Sequence, residues 1–204
     1  MNSSCDIGCC LNMKFVDGKT IQIDRELSDL DNFALDFVKI LKKHCKYVIV
    51  SGYVSILLGR SRVSEDIDII IPKIDFKKFQ LLYHDLKKND FYCLNEENDE
   101  SLFEYLIDEV AIRFAKKDKV IPNIEFKWIK NKFEKLALKE SITVKLSKGN
   151  LNISPLELQI AFKEVVLKSP KDLEDARHIE KIAENYLDNK LLNKYRELLR
   201  EFYK

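Results

Sequence analysis

The chain has 204 residues, a net charge of +1, 46% hydrophobic residues and 34% charged ones. That balance suits a soluble domain with its own core, or a domain carrying a helical appendage, and excludes a disordered chain. No apolar run approaches the ~20 residues that span a bilayer, and a charge so near zero gives no sign of nucleic acid for the molecule as a whole.

Residues 13–24, "MKFVDGKTIQID", alternate around Asp17-Gly18 and predict a β-hairpin. From Leu30 to Cys45 the apolar residues Leu30, Phe33, Ala34, Phe37, Ile40 and Leu41 recur at helical spacing. "YVIV" (47–50) is a short apolar strand running into Ser51-Gly52. "YVSILLG" then predicts a short helix, "RSRVSE" a polar loop, and "DIDIII" (66–71) a strand stopped by Pro72. Residues 75–90 predict an amphipathic helix with Phe76, Phe79, Leu82 and Leu86 inward, and "FYCL" (91–94) a strand followed by an acidic stretch. "EVAIRFA" (109–115), "NIEFKWI" (123–129) and "SITVKL" (141–146) predict three more strands, the last followed by the turn "SKGN". At Ser154 the character changes. "SPLE" carries a capping-box pattern, with Ser154 as N-cap, Pro155 at the first helical position and Glu157 at N3. Beyond it the chain is expected to be helical, restarting at "SPKD" (169–172).

Local charge is uneven. Residues 111–150 hold eleven Lys/Arg against four Asp/Glu, and 96–109 hold seven acidic residues and no basic one. A solvated face explains both; a surface for a polyanion is the alternative. The five cysteines, Cys5, Cys9, Cys10, Cys45 and Cys93, form no paired array, which reads as free thiols in a reducing cytoplasm. The Cys5–Cys10 cluster lacks a His or second Cys pair to complete a metal site.

Two carboxylates inside an apolar strand are the feature that asks for an explanation. Period two puts Asp66 and Asp68 on one face, where like charges repel. Just upstream, the Ser51-Gly52 turn lets the backbone approach a phosphate, and Arg60 and Arg62 can neutralise its oxygens. Paired aspartates are hard oxygen ligands for Mg²⁺, which removes their repulsion and bridges to a triphosphate. Singly, Ser51 is an ordinary N-cap, Gly52 a turn glycine, and the arginines solvated loop charges. Asp68, flanked by Ile67 and Ile69, is the residue that such readings leave unexplained.

The stretch resembles the signature of the nucleotidyltransferase superfamily, the fold shared with DNA polymerase β: a Gly-Gly or Gly-Ser turn, a helix, then Asp-x-Asp. Its spacing is similar to that of the AbiEii-like abortive-infection and type IV toxin branch, with Ser-Gly here in place of that branch's pair. "SPLELQIAFKEVVLKSPKDLEDARHI" (154–179) resembles the downstream pattern of the branch, a helix bearing a Lys followed by Lys-Asp-x-x-Asp. Lys163, Lys171, Asp172 and Asp175 stand at those positions. The resemblance covers roughly 47–179, and Lys163 remains open between a triphosphate contact and a snorkelling surface lysine. Acids at 172 and 175 also suit the first turn of a helix.

The resemblance implies an α/β fold with a mixed sheet flanked by helices and a C-terminal helical region. The expected division is an extension with the hairpin (1–28), a nucleotidyltransferase domain (29–153) and a helical tail (154–204). It also implies a third carboxylate on a neighbouring strand. Glu125 is favoured over Asp108, and Arg113 is a candidate phosphate contact. The implied activity moves a nucleoside monophosphate from an NTP to RNA, a tRNA end or a protein. Two Mg²⁺ ions would be held by Asp66, Asp68 and Glu125. Ser51, Gly52, Arg60, Arg62, Lys163, Asp172 and Asp175 would hold the nucleotide. A role as one half of a toxin–antitoxin pair fits. So does a catalytically inactive module on the same scaffold that binds a nucleotide or a partner.

Overall fold

In a computed structural model that describes residues 12–204, Asp17-Gly18 turns the chain between β1 (Asn12–Asp17) and β2 (Thr20–Asp24), with the Asp17 carboxylate accepting from the Lys19 N–H at 2.7 Å. The clustered cysteines Cys5, Cys9 and Cys10 lie outside the described residues. Ser28 and Asp31 form a reciprocal capping box that starts α1 (Asp29–Leu41), which stops four residues short of Cys45. β3 (Val48–Val50), α2 (Gly52–Leu57), β4 (Asp66–Ile71), α3 (Phe76–Lys88) and β5 (Phe91–Cys93) follow as their patterns predict.

The acidic stretch contains a helix, α4 (Asp99–Ile107). Asn98 caps it by accepting from the Ser101 N–H, Asp99 and Glu100 meet the positive end of its dipole, and Leu102 and Leu106 are buried four residues apart. β6 (Ile112–Lys116) and β7 (Asn123–Trp128) precede a second unforeseen helix, α5 (Lys132–Lys139). Asn131 caps it, and Phe133 and Ala137 are buried on one face. "SKGN" proves to join β8 (Ile142–Leu146) to β9 (Gly149–Ile153). The expected capping box at 154–157 does not form. Ser154 is buried, its hydroxyl donates to the Pro155 carbonyl at 3.3 Å, and α6 (Leu156–Phe162) starts without a side-chain cap. A π-helical turn (Lys163–Leu167), α7 (Pro170–Ile182) with Ser169 as its cap, and α8 (Asn189–Phe202) complete the chain.

The protein is thus an α/β fold with a nine-stranded mixed sheet, in the order β1-β2-β8-β9-β3-β4-β7-β6-β5. The N-terminal hairpin is part of this sheet, β2 pairing in parallel with β8. β4 is central, antiparallel to β3 and parallel to β7, with Asp66, Asp68 and Ile70 opposite Asn123, Glu125 and Lys127. One face carries Ile67, Ile69, Ile71, Ile124 and Phe126 into the core beneath α1, α3 and α4. There Phe37 sits edge-on to Phe91 at 5.2 Å and against Phe114 at 5.6 Å. The other face carries the polar residues of β4 and β7 toward α5, α6 and the π-turn. No helix among the described residues is long and apolar enough to cross a membrane.

A buried carboxylate ties this architecture together. Asp31 is fully buried, paired with Arg25 at 2.6 and 3.1 Å, and accepts from the Ser28 backbone and hydroxyl and from the Tyr53 hydroxyl at 2.8 Å. Burial alone would raise its pKa; the bonds from Arg25, Ser28 and Tyr53 outweigh it and hold the carboxyl below the usual range. A depressed folded-state pKa adds stability above the unfolded value of ~3.9, and that stability is lost as pH falls through the folded value. Asp31→Asn is therefore expected to be less stable than the parent at pH 7, with the gap narrowing below about pH 4. Urea midpoints at pH 7, 4 and 3 check this; a gap that stays constant across the series contradicts it.

Candidate functional site

Two acids and two bases meet where β4, β7 and β6 run side by side. Register sets Glu125 beside Asp68 on one side and Arg113 on the other. Two residues on, Lys127 returns to the same face and bonds Asp68 at 2.8 Å and Glu125 at 3.2 Å. Arg113 reaches the other Glu125 oxygen at 2.6 Å. Burial pulls the Lys127 pKa down, but the charges of Asp68 and Glu125 and their hydrogen bonds outweigh it, leaving the ammonium above its usual range. Asp66 lies one step back along the same strand face, where among the described residues its carboxylate meets the Ser64 hydroxyl at 3.2 Å. The Asp66–Asp68 edge suits one hard divalent cation by its donor chemistry. The Glu125 corner is engaged by Lys127 and Arg113, and among the described residues no three His, Cys, Asp or Glu side chains group as a metal site. Asp108 follows α4 as its C-cap and is exposed.

The Ser51-Gly52 turn adjoins this face. Ser51 has φ 65° and ψ −139°, a conformation that costs a non-glycine residue about 1–3 kcal/mol. It is held by Gln159, whose amide donates to the Ser51 carbonyl at 2.7 Å. At Gly52 the contact is with a side chain: a Cβ there would lie 2.7 Å from a terminal nitrogen of Arg62, so a larger residue would have to shift the guanidinium that pairs with Asp175. Glycine is the residue that the Ser51 backbone suits. After its extra unfolded-state entropy is subtracted, Ser51→Gly is expected to stabilise the chain by about 1 kcal/mol, a rise of roughly 2–4 °C in melting temperature. A differential scanning melt checks this; a lower melting temperature contradicts the strain.

The tail residues form a second cluster. Lys163, 1% exposed, bonds Asp172 at 3.0 Å and Asp175 at 2.7 Å, so its ammonium is buried rather than snorkelling to the surface. Asp175, fully buried, also takes Arg62 at 2.6 Å and Arg60, which further bonds Glu174 and the Lys171 carbonyl. Burial raises the Asp172 pKa, but bonds from Ser169 and Lys163 outweigh it and lower the carboxyl overall. The arginines of the α2–β4 loop therefore lock the helical tail onto that loop.

Between the clusters lies a cleft of about 230 Å³. Its polar lining includes Asp68, Lys127, Glu134, Gln159 and the buried Lys163, and its apolar wall includes Phe133, Leu158 and Phe162. The structure thus brings Ser51, Asp68 and Lys163 to one cleft, sets Glu125 beside Asp68, and engages Arg60, Arg62, Asp172 and Asp175 with one another. Period-two alternation puts Lys127 on the face of Glu125, but its pairing with Asp68 depends on the β4–β7 register. Gln159, a lone amide in the apolar "LQIAF", was the one signal for the support beneath Ser51.

No protein-family model matches the chain, and no curated protein matches its sequence. Solved structures do match. ANT(2")-Ia in complex with adenylyl-2"-tobramycin aligns with a TM-score of 0.52 at 15% identity, covering 85% of this chain and 98% of that one. An antigenic nucleotidyltransferase-like protein from Paracoccidioides brasiliensis aligns with a TM-score of 0.51 at 15% identity, covering 86% and 89%. A solution structure of ANT(2")-Ia, described as an antibiotic-resistance factor, gives 0.51 and 15% over 86% and 95%. At such identity the likeness is one of fold: this chain has a nucleotidyltransferase fold.

Proposed function

We propose that the protein is a nucleotidyltransferase that moves a nucleoside monophosphate from an NTP to an acceptor hydroxyl. The observation that carries this is the pair Asp66 and Asp68 on one strand face of a nucleotidyltransferase fold, with Asp68 lining a cleft that Ser51 and Lys163 also line. Asp66 and Asp68 would hold a divalent cation, which when bound supplies Lewis-acid charge neutralisation on the phosphates. In the transfer, the acceptor oxygen bonds the α-phosphorus and the bond from that phosphorus to the bridging oxygen breaks. Pyrophosphate leaves with the electron pair, and the hydroxyl proton passes to water. Ser51 and Gly52 form the turn that the phosphates approach, and Lys163, buried with its charge fixed by Asp172 and Asp175, stands behind the helical wall of the cleft. Arg60 and Arg62 act by holding the tail in place through Asp175.

The acceptor we favour is RNA, supported by the eleven Lys/Arg against four Asp/Glu in the stretch 111–150. The motif resemblance to the AbiEii-like branch adds a tRNA end or a protein as acceptors, and a partner protein of antitoxin type. A small polyhydroxylated acceptor is the second reading, favoured by the fold match with a structure that contains adenylyl-2"-tobramycin. The test is incubation with each α-labelled NTP, Mg²⁺, and in separate reactions total RNA, protein or an aminoglycoside, beside an Asp66→Ala/Asp68→Ala variant. Label transfer by the parent alone supports the proposal. Failure to label any acceptor, together with failure to bind any NTP, overturns it; NTP binding without transfer favours an inactive nucleotide-binding module.

A further inference from the structure

We infer that Lys127 is a built-in cation of the carboxylate site, standing where the motif resemblance expects a second metal ion, so that the chain binds one divalent ion rather than two. The inference rests on the proposed function and specifies the cation requirement of that same site.

Three carboxylates on adjoining strands carry three negative charges, enough to hold two divalent ions. Here two of the three are already neutralised from within the sheet. The Lys127 ammonium lies 2.8 Å from Asp68 and 3.2 Å from Glu125, bridging both. Arg113 takes the second oxygen of Glu125 at 2.6 Å. With both bases counted, the cluster keeps a single net negative charge. A divalent ion between Asp68 and Glu125 would have to displace a half-buried ammonium or stand beside it as a like charge. At the Asp66–Asp68 edge Lys127 engages only the Oδ1 oxygen of Asp68, and Asp66 meets a neutral partner, the Ser64 hydroxyl.

The strand geometry makes Lys127 a fixture. The parallel pairing of β4 with β7 places Ile70 opposite Lys127 and Asp68 opposite Glu125, so the lysine reaches back along the strand to both acids. An ammonium donates hydrogen bonds to both carboxylates and fixes their orientation, as a bridging ion would. Lys127 also lines the cleft beside Lys163. Lys127 is therefore a positioning residue: it holds the Asp68 and Glu125 carboxylates together and supplies a charge that needs no metal from solution.

The test counts manganese. The full chain is dialysed to equilibrium against Mn²⁺ with saturating α,β-methylene NTP analogues, and protein-bound metal is measured per bound analogue. One Mn²⁺ is expected for the parent, one for Lys127→Arg, which keeps the charge, and two for Lys127→Met, which removes it. Circular dichroism confirms that each variant is folded, and the parent's count stands without them. Two ions bound by the parent, or no gain in folded Lys127→Met, overturns the inference and leaves the proposed function standing. A parent that binds no analogue overturns both.

Discussion

Asp175→Ala is expected to destabilise the protein by about 3–5 kcal/mol, the range for removing one partner of a buried charge cluster. Asp175 is fully buried and takes Lys163, Arg62 and Arg60 together. Without it, an ammonium that is 1% exposed keeps only Asp172, Arg62 loses its carboxylate partner, and Arg60 keeps only Glu174 and the Lys171 carbonyl on α7. At this chain length the loss corresponds to roughly 10 °C in melting temperature. The penalty comes from charge left without a partner rather than from lost packing. Adding Lys163→Met is therefore expected to recover part of it, since apolar replacement of buried ions is often neutral or stabilising. Urea unfolding followed by circular dichroism makes both comparisons. A loss below about 1 kcal/mol for the single variant, or a further loss on adding Lys163→Met, would contradict the account.

The second large effect is on chemistry. Asp68→Asn is expected to reduce nucleotidyl transfer by at least about a thousandfold, equivalent to about 4 kcal/mol in the barrier, with stability changed by less than about 1 kcal/mol. Asp68 lies at the cleft surface, and its loss leaves Lys127 paired with Glu125 at 3.2 Å, so the fold keeps that ion pair while the Asp66–Asp68 edge loses one of its two carboxylate charges. Initial rates with labelled NTP, alongside melts of parent and variant, separate the two effects. Retention of activity within tenfold would place the chemistry away from β4.

How much of this could be read from the residues follows from the range of the interactions. The hairpin at Asp17-Gly18, the strand–turn–helix at 48–57 and the Asp-x-Asp strand depend on turn chemistry and period-two alternation, so they were legible. Helix α4 was hidden by its acids, although Asn98 and the Leu102–Leu106 spacing marked it. β9 was hidden behind the turn signal at 147–150, and Ser154 carries a capping-box pattern that its burial in the structure overrides. The site divides the same way. Asp66 and Asp68 stood out because they violate local apolar patterning. The neutralisation of Asp68 and Glu125 by Lys127 and Arg113 requires β4, β7 and β6 to be in register. The coupling of Arg60 and Arg62 to Asp175 spans more than a hundred residues and needed the tertiary fold.

The strained Ser51 belongs with these non-local features. Its left-handed φ of 65° is sustained by Gln159 from α6, which links the turn to the helical wall of the cleft. Ser51, Asp68, Gln159 and Lys163, from turn, strand and tail, thus line one cleft.

Diffraction from a crystal soaked with Mn²⁺ and a non-hydrolysable NTP analogue, with data collected at the manganese absorption edge, tests the central claim most directly. The account predicts anomalous density between Asp66 and Asp68, with the analogue's phosphates against it and its base in the cleft. Manganese or nucleotide bound elsewhere on the molecule, with Asp66 and Asp68 bare, would contradict it.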